Sequence, residues 1–173
     1  MESRVKLFGH PVHPMLIVFP AGLFTAAVIF DILYLILSKP ILTTVSFYMI
    51  AVGVIGGLLA AIFGFIDWLG LPSNSRAKQI GGWHGLGNFV IVVLFAVSWL
   101  LRNGNPNFVP NGFAMVLSFA GILLALVTLW IGGELVYRLG VAVDPGANVN
   151  APSSLTNLPA SAPQANQRRT VSR

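Results

Sequence analysis

The chain contains no cysteine among its 173 residues. Disulfide bonds, thiolate zinc sites, covalently attached c-type haem and cysteine-ligated iron–sulfur clusters are therefore excluded within the chain, because each of them requires a cysteine sulfur. Any redox chemistry must use other ligands.

Charged residues are also scarce, since they make up 9% of the chain against 55% for hydrophobic residues. A soluble domain of this composition would have too little polar surface to cover its exterior, so lipid must cover it instead. The apolar runs do not alternate with polar residues, and backbone amides in lipid need internal partners. The sequence therefore predicts membrane helices rather than barrel strands.

Four long apolar runs predict four such helices, over residues 15–37, 42–66, 85–101 and 112–131. Each run is close to the ~20 residues that a helix needs to cross the hydrocarbon core. No signal-peptide pattern leads into the first run, so we expect it to stay as a helix. Short turns at residues 38–40 and 103–111 join the helices in pairs, and a polar loop between Trp68 and Trp83 is predicted to join the pairs. The predicted fold class is an all-α membrane protein, a four-transmembrane-helix bundle of two antiparallel hairpins.

The composition changes after Asp144. Residues 145–167 carry no charge and are rich in proline, alanine, asparagine and serine, so they cannot bury enough apolar area to order themselves. The predicted organisation is a transmembrane domain over residues 1–144 and a disordered cytoplasmic tail over residues 145–173.

The net charge of +5 is spread over helix ends, with no basic and aromatic surface that would follow a nucleic acid. The cations instead predict orientation. With four crossings, one side of the membrane carries more of them than the side of Lys39 and Arg102, so the positive-inside rule places both termini in the cytoplasm. The cations of the richer side are Arg4, Lys6, Arg76, Lys78 and Arg138.

A small polar set at the predicted inner side carries most of the chemical signal. Neutral imidazoles suit haem iron, zinc, copper or non-haem iron, and two carboxylates add further oxygen ligands. Residue type without fixed spacing is a weak pattern, so hydrogen bonding to headgroups or neighbouring helix ends is the competing interpretation. The candidate metal ligands are His10, His13, Asp67, His84 and Glu134, and Asn88 follows His84 on the same face one turn on.

The two acids in this set differ in their sequence neighbours. Acids at helix C-termini oppose the helix dipole and therefore need partners. Glu134 and Arg138 are four residues apart and can pair on one helix face, with Arg76 and Lys78 as further candidates. Asp67 has no such neighbour in sequence.

Asp31 lies inside the first predicted helix, where a lone ionised aspartate would cost at least ~2.5 kcal/mol. It should therefore face the bundle and find a partner, and Arg102, Tyr48 and Ser98 are the candidates at a similar depth. Two interpretations stay open, a proton or ion relay and a hydrogen bond that fixes the helices together.

The two hairpins resemble each other, because each opens with a histidine and closes with an acid. His13 and Asp67 are 54 positions apart, and His84 and Glu134 are 50 apart. These landmarks suggest a two-plus-two parallel repeat about an axis along the membrane normal. The usual hydrolase and nucleotide-binding motifs are absent from the sequence, which argues against a soluble-type hydrolase or nucleotide enzyme. Whether the chain is an enzyme of another kind stays open.

Five short motifs along the chain are specific in combination: Gly9-His10-Pro11-Val12-His13-Pro14-Met15, Phe19-Pro20-Ala21-Gly22-Leu23-Phe24 with Asp31 beyond it, Gly64-Phe65-Ile66-Asp67-Trp68, His84-Gly85-Leu86-Gly87-Asn88 and Gly132-Gly133-Glu134-Leu135-Val136-Tyr137-Arg138. Over roughly residues 9–143 the chain resembles the prokaryotic membrane family catalogued as domain of unknown function 2231. The resemblance implies a four-helix membrane domain of unestablished activity. Some members of that family are joined to cytochrome-type or Rieske-type redox domains.

The chain departs from the pattern of many relatives at two positions, since Val18 and Leu139 stand where those relatives have histidine. His13 and His84 remain as a pair on different helices, and they are the predicted cofactor ligands.

Together these observations predict a multi-pass protein of the prokaryotic inner membrane that binds b-type haem or a metal ion in a redox assembly. The predicted partners are the lipid bilayer and either a redox partner or a second copy of the chain. A non-catalytic scaffold or subunit is one alternative. A proton-coupled carrier that uses Asp31 and acts as an oligomer is the other.

Overall fold

The structure is a computed structural model that describes residues 1–156 and 158–163. Its four long helices are each long and apolar enough to cross a membrane. The first span consists of α1 (Val12–Leu16) and α2 (Val18–Leu37), the second is α3 (Ile41–Leu69), the third is α4 (Arg76–Arg102), and the fourth is α5 (Gly112–Gly133) extended by the π-helical turn Glu134–Arg138.

The spans pack as two antiparallel hairpins, which confirms the predicted fold class. The first span packs most extensively on the second, and the third packs most extensively on the fourth. The connection within each hairpin, residues 38–40 in the first and 103–111 in the second, lies at the same end of the bundle, which we call the turn end. The opposite end is the terminal end, because there the amino group of Met1 donates to the carbonyl of Gly140 at 2.8 Å, just beyond the fourth span.

The first span is interrupted where its prolines predict a bend. Regular α-helix stops after Leu16 and resumes at Val18. Pro20 has no amide hydrogen, so the carbonyl of Leu16 lacks the partner that a helix would normally supply. Ser38 then ends the span in a left-handed conformation (φ 53°), and its amide donates to Tyr34 at 2.8 Å.

The third span begins earlier than the sequence suggests, so the predicted loop between Trp68 and Trp83 is wrong for most of its length. The helix starts at Arg76, directly after Ser75, whose hydroxyl accepts the amide of Lys78 at 3.1 Å as an N-cap. Charged residues in the first turn resemble a solvated loop in sequence. Lys78 instead lies over the ring of Trp68, 3.8 Å from its centroid, and holds the short connection in place.

A small hairpin precedes the first span at the terminal end. Strands β1 (Lys6–Leu7) and β2 (His10–Pro11) pair antiparallel through a turn at Phe8 and Gly9, both with positive φ (51° and 82°), as a type I′ turn requires. The hydroxyl of Ser154 donates to the carbonyl of Phe8 at 3.2 Å.

The segment that follows the fourth span consists of turns with one 3-10 turn, Ser154–Thr156, over residues 145–156 and 158–163. The predicted disordered tail falls partly on residue 157 and residues 164–173, which lie outside the described residues. The division of the chain at residue 144 therefore stays a prediction.

The centre of the bundle is a stacked pair of aromatic rings from the first and third spans. Phe24 and Phe95 lie with their ring centroids 3.9 Å apart and their planes within 2° of parallel. Glycines on the flanking helices make room for them, because an added Cβ would lie 2.6 Å from the Phe24 ring at Gly53 and 2.7 Å from the Phe95 ring at Gly121. The small-residue face of the second span is thus a packing surface, as its spacing indicates.

A buried ion pair fixes the spans together nearer the turn end. The Arg102 side chain donates to both carboxylate oxygens of Asp31, at 2.7 and 2.6 Å, and both side chains are fully buried. Its remaining donors bind hydroxyls of three spans: Ser46 at 3.1 Å, Ser118 at 2.9 Å and Ser98 at 3.3 Å. All five guanidinium N–H groups therefore have an acceptor, which offsets the cost of burying the charges.

The contacts support the predicted two-plus-two repeat. Asp31 and Arg102 are 71 positions apart, and the same separation relates Phe24 to Phe95 and His13 to His84, each pair in contact across the bundle. On the flanking spans the equivalent separation is 68 positions, which relates Gly53 to Gly121. The acids do not follow this register, since the position equivalent to Asp67 is the buried Leu135 rather than Glu134.

We expect Asp31→Asn to lower the free energy of unfolding by about 3–5 kcal/mol, because it leaves Arg102 buried without a counter-charge. Arg102→Met should cost a similar amount. The double variant Asp31→Asn/Arg102→Met should lose much less than the sum of the two single losses, since no unpaired charge is left. Circular dichroism during unfolding in detergent measures these values.

Lys39→Met serves as the control, because Lys39 is an exposed cation at the same end of the bundle. Additive losses in the double variant would show that Asp31 and Arg102 do not depend on each other.

Candidate functional site

The two predicted cofactor ligands, His13 and His84, occupy equivalent places in the two hairpins. Nδ1 of His13 lies 2.8 Å from the carbonyl of Ala60, and Nδ1 of His84 lies 3.0 Å from the carbonyl of Thr128. A carbonyl can only accept, so Nδ1 carries a proton in both rings, and in the neutral imidazole Nε2 then carries the lone pair. Each histidine thus ties its own span to the next one in the chain.

Glycines one turn beyond these carbonyls bring the rings close to the neighbouring helices. An added Cβ would lie 2.8 Å from Cε1 of His13 at Gly64 and 3.1 Å from Cε1 of His84 at Gly132. The glycines within these motifs therefore have a physical reason, since a Cβ at position 64 would collide with the His13 ring and one at position 132 would press against the His84 ring.

The two imidazoles also lie next to each other. Their ring centroids are 6.5 Å apart, the ring planes are perpendicular, and both side chains are half-buried at the terminal end. The structure therefore brings together the pair that the sequence favours as ligands.

Asn88 adds a contact to one of the two rings only. Its side-chain nitrogen lies 3.1 Å from Nε2 of His84 and 2.8 Å from the carbonyl of His84. Its oxygen lies 3.3 Å from the hydroxyl of Thr128, which also lies 3.1 Å from the carbonyl of Ala125. In the described part of the chain, Nε2 of His13 has no corresponding hydrogen-bond partner.

The remaining candidate ligands lie in other contacts. His10 is exposed in the terminal hairpin, with Nε2 at 3.4 Å from the hydroxyl of Ser154. Asp67 accepts the backbone amide of Arg4 at 2.7 Å, and the hydroxyl of Ser3 lies 2.8 Å from both of its oxygens. Asp67 thus holds the N-terminal segment against the end of the second span.

Glu134 pairs with Arg76 across the third and fourth spans, at 2.8 Å. It begins the π-helical turn, in which the amide of Leu139 donates to the carbonyl of Glu134. Arg138 is exposed, and within the described residues it forms no ion pair with Glu134. Of the partners predicted for Glu134, the structure shows Arg76 across two helices and not Arg138 along the same helix.

Among residues 1–156 and 158–163 no three of the histidines and acids form a group that could hold a metal ion. The five candidate ligands are instead distributed over the histidine pair, the Asp67 contacts, the Arg76 ion pair and the terminal hairpin. The histidine pair is the arrangement that could bind a ligand through more than one of these side chains.

Lys6 ties the terminal hairpin to the segment that follows the fourth span. Its ammonium donates to Asp144 at 2.6 Å and to Glu2 at 2.7 Å. These hydrogen bonds, that to Asp144 first, raise the pKa of Lys6 above its ordinary value near 10.5. Because the pKa is raised on folding, the protonated lysine adds stability that is fully present below its ordinary pKa and is lost as the pH rises through the folded pKa. The ion pair between Lys6 and Asp144 is therefore intact at neutral pH.

Sequence reasoning did not find the acceptors and donors that fix these residues. The carbonyls of Ala60 and Thr128 carry no side-chain signal, although the glycines four positions later mark the close approach. Ser3 is distant from Asp67 in sequence and belongs to no motif. Ser46 and Ser118 are small residues within apolar helices, so the sequence does not distinguish them from residues that only allow close helix packing.

Removal of the Asp67 carboxylate should release the N-terminal segment. We expect Asp67→Ala to speed hydrogen exchange at the Arg4 amide roughly ten- to hundredfold, because a hydrogen bond to a charged acceptor is lost. Exchange measured by NMR in detergent micelles tests this. Glu134→Ala, which removes an acid at the same end of the bundle, should leave the Arg4 amide protected, and unchanged protection in Asp67→Ala would contradict the assigned role.

Comparison with known proteins agrees with the fold. No curated protein and no solved structure matches the chain. The family described as "Predicted membrane protein (DUF2231)" matches residues 9–145, a range that contains all four spans and the histidine pair. Since this range covers most of the 173 residues, the chain belongs to the DUF2231 family of predicted membrane proteins.

Proposed function

We propose that the chain is a membrane subunit that binds a haem-type iron through His13 and His84. One observation carries this proposal: two half-buried imidazoles from different spans lie 6.5 Å apart between ring centroids, each with Nδ1 fixed by a helix carbonyl. Histidines that bind metals usually donate the other ring N–H to such an acceptor, which fixes the tautomer and the ring orientation.

The donor set fits haem better than a free metal ion. A structural zinc site needs about four protein ligands, and no group of three histidines or acids is found in the described part of the chain. Haem iron needs only one or two axial ligands from the protein, and an imidazole pair is one such set. The absence of cysteine restricts the proposal to noncovalently bound, b-type haem.

Such a group would supply one-electron transfer, and the chain's own residues would hold and orient it. The carbonyls of Ala60 and Thr128 keep the lone pair on Nε2 of each ring. Gly64 and Gly132 set the depth of the rings between the helices. A redox partner on the same side of the membrane is part of this proposal, because the histidines lie at the terminal end rather than at the bundle centre.

Purified protein expressed with a haem supply tests the proposal. We expect a Soret band that is lost in His13→Ala and is weakened and shifted in His84→Ala, because each variant removes one imidazole that would hold the iron. His10→Ala is the matched control, since His10 lies in the same motif but contacts Ser154, and it should keep the band. A colourless protein that also fails to bind added hemin would refute haem binding.

A non-catalytic scaffold is the second candidate, and the same contacts favour it. Both Nδ1 atoms already tie neighbouring spans, and Asp67 and Glu134 also make internal contacts. In a scaffold, His13→Ala would lower thermal stability without any spectroscopic change. The carrier interpretation gains no such support, because both oxygens of Asp31 contact Arg102 in a fully buried pair.

We also propose that the terminal end faces the cytoplasm. Arg102 is neutralised by Asp31 inside the bundle, so of the two cations predicted for the turn end Lys39 alone is exposed there. Arg4, Arg76 and Arg138 lie at the terminal end, which strengthens the charge asymmetry that the positive-inside rule uses.

Single cysteines test this orientation without interference, because the chain has none of its own. Ser75→Cys and Ser153→Cys should react with a membrane-impermeant thiol reagent only after the inner face is opened. Asn105→Cys, in the turn-end connection, should react in intact cells. Labelling of the cysteine at position 75 in intact cells would reverse the proposed orientation.

A further inference from the structure

The two halves of the histidine site share one frame but differ in one side-chain group. His13 and His84 are equivalent positions, as are Ala60 and Thr128, whose carbonyls accept from the two rings. Asn88 follows His84 by four positions, and its equivalent after His13 is Ile17. The positions around His13 that are equivalent to Asn88 and Thr128 therefore hold Ile17 and Ala60, which have neither an amide nor a hydroxyl in their side chains.

The carbonyl of His84 fixes the direction of the amide contact. Because a carbonyl can only accept, the group of Asn88 that faces His84, at 2.8 Å, is the side-chain nitrogen. Its two protons then have two acceptors, Nε2 and the carbonyl of His84. Both ring nitrogens of His84 are consequently occupied, while His13 uses only Nδ1 in the described part of the chain.

From this asymmetry we infer that Asn88 is a positioning residue that covers the lone pair of His84, so that His13 is the open imidazole of the pair. The inference rests on the proposed function and specifies the order in which the two histidines bind the ligand. A ligand that is coordinated by imidazole nitrogen binds His13 first. It reaches His84 only after the amide of Asn88 has moved away from Nε2. The ligand class is an iron porphyrin with one or two free axial positions.

Removal of the amide should open the second imidazole. With hemin as the probe, we expect Asn88→Ala to bind roughly three- to tenfold more tightly than the unaltered protein and to show more of the bis-imidazole spectrum, because one hydrogen bond no longer competes. Asn88→Leu, which keeps the volume, replaces it should the alanine variant fold poorly. Weaker or unchanged hemin binding in both variants would overturn the inference.

The repeat provides a matched opposite variant. Ile17→Asn/Ala60→Thr places the same amide and hydroxyl beside His13, so both lone pairs should then be covered. Hemin affinity should fall by roughly three- to tenfold, and the Asn88→Ala change added to this variant should move the open position to His84. A double variant that binds hemin as the unaltered protein does would contradict the role assigned to the amide.

A readout without hemin separates this inference from the proposed function. The ¹⁵N resonance of Nε2 in His84 should report an accepted hydrogen bond in the cofactor-free protein, and Asn88→Ala should shift it towards that of His13. If no protein binds hemin but this shift occurs, haem binding is refuted and the covered lone pair is supported. If the resonance does not respond to Asn88→Ala, the inference fails whatever hemin does.

Discussion

The buried ion pair between Asp31 and Arg102 sets the register of the whole bundle. Charges in a lipid-covered interior are costly unless paired and hydrogen-bonded, so the first and third spans can slide little against each other once this pair forms. Because residues separated by 71 positions face each other, the register that pairs Asp31 with Arg102 also stacks Phe24 on Phe95. The same register places His13 beside His84 at the far end. The candidate site is therefore a consequence of a contact several helical turns away.

Sequence alone predicts what depends on composition and depth. The four apolar runs predict the four spans. Asp31, a lone acid inside a span, needs a partner at its own depth, and Arg102 is one of the candidates that the sequence offers. The equal depth of His13 and His84 follows in the same way. The start of the third span was missed because Arg76 and Lys78 resemble a loop, although Ser75 is a suitable N-cap. Backbone carbonyls and the distant Ser3 carry no pattern, so the partners of the histidines and of Asp67 require a structure.

The ligand and scaffold interpretations of the histidine pair share the same contacts. An imidazole that binds iron needs its other nitrogen fixed, and a helix carbonyl does this while it also joins two spans. What separates the interpretations is Nε2. A purely structural histidine gains from a hydrogen-bond donor at that atom, as His84 has from the amide nitrogen of Asn88, whereas His13 has no such donor within the described residues. The scaffold interpretation therefore explains His84 more completely than it explains His13.

A bundle made from two identical halves would not be stable with these core residues. Identical halves would place two aspartates or two arginines opposite each other near the axis, and like charges at that distance in a low dielectric repel strongly. Opposite charges at positions 31 and 102 remove this conflict, and they also favour pairing of the first hairpin with the second over pairing of either hairpin with its own copy. The two hairpins also differ in the serines around this pair. Ser98 and Ser118 of the second hairpin contact Arg102, while the equivalent positions of the first hairpin hold Ala27 and Ile50. Once the halves differ at the ion pair, nothing in the packing requires them to match at the histidines. An amide can then cover one imidazole and leave the other open, which a strictly symmetric site cannot do.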